Sequence, residues 1–510
     1  MEERYDRQLR LWNVHGQKDI MNSTVLFAGS DCTASEFLKT MILHGIQNVI
    51  IVDDSIVDEN DIATNFFVRD SSIGKYRAEE VAGLLNELNP TTKIETILKS
   101  PNNIEFMNDD KIESMGNKVI VITCGNKSKS YLSELSDICR ERKIVQAHIQ
   151  TNGYLGVFYI DAGIHHFFEG SSCEEKPISE LRIANPFKEL SDFWDSIDFD
   201  KLGDIEHAHI PYCAILYKAS KQLKEKLKLQ KLSFKESSLL RKEIESMERN
   251  DIDETQGLIN KEECFEEALD NIPQAFNEEI PILTKDCFEF SDSIGEFDEP
   301  FWQLVRSTQR FYNKHGVIPH YGGCPDMETT PAFYQKQKSI YIEKSKKDWL
   351  EIAEDLKERN ITIDETIFER FKKNVWRIGG VKYLPIRESI LLKPDFESIY
   401  DDSSKYLAIV QLLFIGSREF IEKYNRFPVN TDEDKQVMIE MVKNLGAPNE
   451  KITEMFVEEF CRTKGDILPS VVASFSAILA EEITKIIIHQ AHTVSSVVVF
   501  DGVHSILKTQ

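Results

Sequence analysis

Between residues 24 and 160, short apolar runs alternate with amphipathic stretches. No other feature of the chain constrains its fold so strongly. Residues 24–28 (TVLFA), 48–52 (NVIIV), 118–123 (KVIVIT), 144–147 and 154–160 read as strands. Residues 32–44, 75–88 and 128–140 read as helices, the first with Phe37, Leu38, Met41 and Ile42 on one face. Strands that are apolar at nearly every position need cover on both faces. Alternating with helices, they predict an α/β fold with a mostly parallel sheet.

From about 165 to 400 charged amphipathic helices dominate, as over 217–247 and 343–359, while the acidic stretch 248–263 reads as a loop. Helical patterns return over 405–425, 432–445 and 470–489, followed by strand-like pieces at 496–501 and 505–507. Sheet pieces at both ends predict a helical insertion at 166–400 within one α/β domain made of 1–165 and 401–510. A chain of 510 residues is too long for one core.

The formal net charge is −25. Such a surface repels phosphate backbones and excludes sequence-independent nucleic-acid binding. Residues 1–12 are charged throughout, and no run of about 18 apolar residues occurs, so neither a secretory signal nor a membrane partner is expected. No two of the nine cysteines lie within four residues of each other, which leaves no zinc-type pair and fits reduced thiols in an intracellular protein.

The first strand–helix turn is where such a domain cradles phosphates, with glycines for close approach and helix N–H groups as donors. Here it reads Gly29-Ser30-Asp31-Cys32-Thr33-Ala34. One glycine of a G-x-G-x-x-G pattern remains; Asp31 stands at the second and Ala34 at the third. A carboxylate about 4 Å from a phosphate costs roughly 4 kcal/mol at an effective dielectric of 20. Alternatively, Ser30 or Asp31 caps the following helix, worth about 1 kcal/mol. The two readings are compatible, because a cap takes the place of a phosphate.

Five further segments stand out: Tyr5-Asp6-Arg7-Gln8-Leu9-Arg10-Leu11-Trp12 with Gly16-Gln17, Asn65-Phe66-Phe67, Ser72-Ile73-Gly74-Lys75-Tyr76-Arg77-Ala78, His207-Ala208-His209-Ile210-Pro211-Tyr212, and the helix near 471–488. Together they resemble motifs of the ubiquitin-like-modifier activating enzymes, with their Rossmann-like, ThiF/MoeB-like adenylation fold. Length and insert resemble the regulatory branch that serves neddylation; the branch serving sumoylation is shorter. Set against active members, Ser55 stands where an acid would hold the ribose, with Asp53 close by. Thr64 replaces a phosphate-contacting arginine and Arg77 a phosphate-binding lysine. Gly125 replaces a metal-binding aspartate, with Asn126 kept. Without an acid at 125, Mg²⁺ loses a carboxylate ligand.

The resemblance implies no cofactor or metal in this chain, with ATP and Mg²⁺ bound instead by a catalytic partner subunit in an obligate heterodimer. Further implied partners are the ubiquitin-like modifier and the conjugating enzyme, and the implied location is cytoplasm and nucleus. The insert would match a catalytic-cysteine half-domain without the cysteine. Arg7 is the one site residue expected to act. In the family this arginine reaches the partner's ATP, as a guanidinium that forks onto phosphate oxygens. The alternative is a local pair with Asp6 or Glu3. Cys324, in Tyr321-Gly322-Gly323-Cys324-Pro325, reads as an incidental loop thiol rather than a nucleophile, and His207-x-His209 as packing residues rather than ligands. The helix at 471–488 carries Val472, Phe475, Leu479, Ile483 and Ile486 on one stripe, with small residues elsewhere that suit either core packing or a subunit interface. An autonomous Rossmann-type enzyme is the competing reading, and the missing glycines weigh against it.

Overall fold

The computed structural model describes residues 2–115, 119–168, 180–249, 251–253, 258–260, 262–276, 280–293, 299–448, 450–494 and 497–509. The chain divides into two units, Met1–Phe167 with Gly380–Gln510, and Phe168–Gly379.

The first unit is built on an eight-stranded sheet. Strands β1 (Thr24–Ala28), β2 (Asn48–Val52), β3 (Lys93–Ile97), β4 (Val119–Cys124) and β5 (Val145–Asn152) run parallel in the order β5-β4-β1-β2-β3. Strand β6 (Leu155–Asp161) turns back antiparallel on β5, and Val497–Asp501 and Ile506–Thr509 extend that edge antiparallel. The sheet is therefore the expected mostly parallel one. Strands β1 and β4 are buried at every residue, as continuous apolar runs require. Strand β3 (KIETI) is an edge strand that alternates exposed and half-buried positions, which is why a search for apolar runs passes over it.

Helix α1 (Glu2–Asn22), kinked at Asn13, docks beside the C-terminal end of α2 (Cys32–His44). Trp12 Nε1 donates to Gln17 Oε1 at 3.1 Å, Gln17 Nε2 to the His44 carbonyl at 2.9 Å, and Gln8 Nε2 to the Leu43 carbonyl at 3.0 Å. The N-terminal motif thus has two faces. Tyr5, Trp12 and Gln17 are buried, whereas Arg7, Arg10 and Leu11 are exposed. The helix Pro469–Ile488 packs along α2, with Thr484 Oγ1 3.0 Å from His44 Nδ1. Its stripe of Val472, Phe475, Leu479, Ile483 and Ile486 is buried, and so are Ser476 and Ala480; Ala473, Ser474 and Ala477 stay partly or fully exposed. Core packing therefore accounts for the stripe.

The chain returns to this unit at Gly380, about twenty residues before the expected boundary. Arg140 donates to the Tyr383 carbonyl at 2.8 Å, the Tyr383 hydroxyl meets Thr493 Oγ1 at 2.6 Å, and the Arg387 N–H reaches Ser136 Oγ at 3.3 Å. On the returning side these ties are made by Tyr383 and Arg387, in short segments with no periodicity to read.

The second unit is mainly helical, with Tyr212–Leu227, Pro300–His315 and Pro331–Glu358 its longest helices and Trp194, Trp302, Phe265 and Tyr341 buried in it. The stretch 217–247 is two helices, not one. The first ends at Lys228, which adopts the left-handed conformation (φ 54°) and donates its N–H back to Glu225 and Lys224, and Ser237–Glu245 follows. Within 248–263, Asp251–Asp253 pairs antiparallel with Leu258–Asn260 instead of forming only a loop; residues 250, 254–257 and 261 lie outside the described residues. No helix among the described residues is long and apolar enough to cross a membrane.

Candidate functional site

The turn after β1 sits beside the C-terminal ends of β2 and β4, where an open α/β sheet places its ligands. Gly29 adopts φ 133°, and a Cβ there would stand 3.1 Å from Cys124 Sγ, so only glycine suits the position. Asp31 is the N-cap of α2: its carboxylate accepts the Ala34 N–H at 3.1 Å. Of the two capping candidates, Asp31 does the capping and Ser30 does not. Ser30 is buried and donates to Asp53 Oδ2 at 2.5 Å. A carboxylate of the chain itself therefore occupies the first-turn N–H group that a phosphate would seek.

Arg77 opens helix α4 (Arg77–Leu88) and reaches back under the turn. Its Nη2 donates to Asp53 Oδ2 at 2.8 Å and its Nη1 to Asp61 Oδ1 at 2.8 Å, while Nε donates to Ser30 Oγ at 3.1 Å. All three guanidinium nitrogens thus end on oxygens of the protein. Asp53 also accepts the Ser55 N–H at 2.9 Å. Burial pushes the Asp53 carboxyl up, but the Arg77 guanidinium and the hydrogen bonds from Ser30 and Ser55 more than offset it and hold it below the usual range. The guanidinium is likewise held charged: burial works against it, and Asp53 and Asp61 outweigh burial.

Asp61 is positioned by α3 (Glu59–Thr64), in which Asp58 and Asp61 form a reciprocal capping box. Sequence reasoning picked out Arg77 and Asp53 separately and missed Ser30 and Asp61 as their partners. The paired residues lie 16 to 47 positions apart, so no single window of sequence signals the cluster. Thr64 stays out of the cluster and donates to the Asn60 carbonyl at 2.9 Å. Ala34 is buried in the first turn of α2. Ser55 joins the cluster through its backbone and its side chain: its N–H and its hydroxyl both support Asp53, and its carbonyl accepts the Arg77 N–H at 2.9 Å.

Gly125 follows β4 with φ 77° and open space around its Cα, so backbone conformation, not crowding, favours glycine there. Its neighbour Asn126 accepts from Gln150 Nε2 at 2.8 Å. Lys127 is buried and donates to the Pro101 carbonyl at 3.1 Å and to the Asn102 side chain. Burial lowers its pKa, and Cys124, Asp31 and Asp53 partly oppose this. Asp31, Asp53 and Asp61 thus face Arg77 and Lys127, three carboxylates against two cations, and an incoming triphosphate meets a net negative turn. Residues with this charge and no acid at 125 do not fit a magnesium nucleotide.

Of the other candidates, the histidines are committed elsewhere and Arg7 is not. Arg7 is exposed and makes no hydrogen bond or ion pair among the described residues. Asp6, one of its two expected local partners, is instead taken by Arg10 at 2.7 Å; the side chain of Glu3, the other, lies outside the described residues. His207 Nδ1 meets Glu262 Oε1 at 2.8 Å, and His209 Nδ1 meets the Ile205 carbonyl at 2.8 Å. Cys324 is half-buried, with Gln337 Nε2 3.8 Å from its sulfur, and burial pushes its thiol up to about 11. His315 is held by Glu351, and His320 accepts the Gly322 N–H, so both candidate bases are occupied. Alkylation of Cys324 at pH 8 is expected to run more than tenfold slower than that of a free cysteine and to accelerate with pH up to about 11, as read by mass spectrometry of the labelled peptide.

The ThiF family model matches residues 5–509. A NEDD8-activating enzyme E1 regulatory subunit of Arabidopsis thaliana is 26% identical, with 98% of this chain and 97% of the relative covered. The protein of that name from Gallus gallus is 28% identical over 98% of this chain and 96% of its own length. A SUMO-activating enzyme subunit 1 of Dictyostelium discoideum is 29% identical over 36% of this chain and 54% of its own length.

Proposed function

The chain belongs to the ThiF family, and from that premise we propose that it is the regulatory, non-adenylating half of a heterodimeric activating enzyme for a ubiquitin-like modifier of the kind that serves neddylation. The carrying observation is the Arg77 cluster: a guanidinium bound on every nitrogen by the chain's own oxygens, beside a helix N-terminus capped by Asp31. In a turn committed in this way the guanidinium and the Ala34 N–H are already engaged by the chain's own oxygens, which supports assigning ATP and Mg²⁺ to the partner subunit. Relatives named for neddylation match the chain nearly end to end, whereas the relative named for SUMO activation matches only 36% of it, which favours the neddylation branch.

In this reading the partner binds ATP, and the modifier's C-terminal carboxylate attacks the α-phosphorus. The bond to pyrophosphate breaks, the acyl-adenylate forms, and a cysteine of the partner then takes the acyl group as a thioester and releases AMP. This chain contributes Arg7, whose exposed guanidinium neutralises charge on the partner's phosphates. Its helical insert helps bind the modifier and frames the partner's cysteine for the conjugating enzyme. The expected location is cytoplasm and nucleus.

The test is ATP–pyrophosphate exchange by the purified chain, alone and with its co-purified partner. Exchange is expected only from the pair, and exchange by the lone chain would sink the proposal.

A further inference from the structure

Arg418 lies in the helix Asp402–Tyr424 and is 2% exposed. Its guanidinium donates to the Tyr159 hydroxyl at 2.8 Å and to the Ile390 carbonyl at 3.4 Å, with Cζ 4.8 Å from the centre of the Tyr159 ring. Its Nε has no hydrogen-bond partner, and no carboxylate pairs with it, among the described residues. Asp161, the buried acid on the same face of β6, is committed to Arg140 at 2.6 Å. A buried cation without a counter-charge is among the costliest groups a core can hold.

The strand beside it is polar on the facing side. Gln146, His148 and Gln150 alternate along β5 onto one face, and all three are buried. His148 stands opposite Tyr159, with ring centres 6.4 Å apart. His148 Nδ1 is 2.9 Å from Thr123 Oγ1, while its Nε2 has no partner among the described residues. Burial, and next the Arg418 charge, keep this imidazole neutral. Neither end of the Gln146 amide has a partner among the described residues. Unsatisfied polar atoms of His148 and Gln146 thus share the sheet face that carries Tyr159, the residue Arg418 bonds, and buried polar groups are otherwise almost always paired.

We propose that this contact is a structural anion site. A halide-sized ion, chloride in solution, accepts the Arg418 Nε–H together with N–H groups of His148 and Gln146. It supplies the missing counter-charge, and side chains this deeply buried favour a monatomic ion over a phosphate ester. The inference does not depend on the proposed function.

The test uses the full chain with its co-purified partner. Its thermal midpoint is expected to be about 2–4 °C higher in sodium bromide or chloride than in sodium gluconate at equal ionic strength. Arg418→Leu is expected to abolish that difference. Crystals grown in bromide are expected to show an anomalous peak beside Arg418 Nε, a reading that does not require the variant to fold. Equal midpoints in the two salts, or density beside Arg418 without anomalous signal, as for water alone, would overturn the proposal.

Discussion

Arg77→Met is expected to destabilise the first unit by about 3–5 kcal/mol, read as a fall in urea midpoint and a drop of roughly 10 °C in thermal midpoint. The side chain of Arg77 is 17% exposed and that of Asp53 is 0% exposed, so the loss is not screened as it would be at a surface. Methionine fills most of the volume but leaves Asp53 buried without its paired cation, and the Ser30 and Ser55 hydrogen bonds remain too few to hold its charge. The magnitude comes from the stranded carboxylate more than from the lost attraction. Arg77→Met combined with Asp53→Asn is therefore expected to recover much of the stability, because the second change removes the stranded charge. A double variant no more stable than the single one would refute this account.

The pH dependence follows from the direction of the shift. In the native chain the Asp53 pKa is depressed, so its contribution is fully present above the ordinary carboxylate value and is lost as pH falls through the lower folded value. In Arg77→Met, burial acts without the cation and raises the same pKa. Its penalty is then greatest at neutral pH and fades as the carboxyl protonates. The gap in stability between the two proteins should accordingly narrow from pH 7 toward pH 4, and a gap that widened on acidification would contradict this assignment.

How far this site can be read from sequence depends on whether its signal is local. Strands β1 and β2 and helix α2 fall where the apolar runs and periodicity put them, because each is buried along nearly its whole length and carries its pattern within one window. Strand β3 escapes because an edge strand needs only one covered face. The cap by Asp31 is also local, formed with a residue three positions away. The Arg77 cluster is not. Ser30, Asp53, Asp61 and Arg77 lie 16 to 47 positions apart in the pairs they form, and only the fold brings them to one turn. Position-by-position comparison with active enzymes presents Arg77 as a lysine merely replaced. In place it neutralises Asp53, the acid left beside Ser55, so changes that look like independent decay form one internally bonded substitute for a ligand. The same logic hides Arg418, whose lack of a counter-charge becomes visible only when the surroundings of a buried side chain are known.

The outward face of α1 carries the other large expected effect. Arg7→Ala is expected to lower ATP–pyrophosphate exchange by the assembled complex about 10²–10³-fold, with thermal stability of this chain unchanged to within about 0.5 kcal/mol. The two readouts separate because Arg7 is exposed and takes no part in docking α1, which rests on Tyr5, Trp12 and Gln17. Arg10 is the internal control. It is also exposed but already paired with Asp6, so Arg10→Ala should leave exchange close to normal. Arg7→Lys keeps the charge and loses the planar fork, and is expected to recover only part of the rate. Co-purification measured on the same preparations distinguishes lost chemistry from lost assembly. Unchanged exchange in Arg7→Ala, with the complex intact, would reduce this chain to a passive scaffold. A large fall with assembly preserved would mean that one active site is divided between two chains, with the nucleotide held by the partner and one phosphate-facing cation supplied by this subunit.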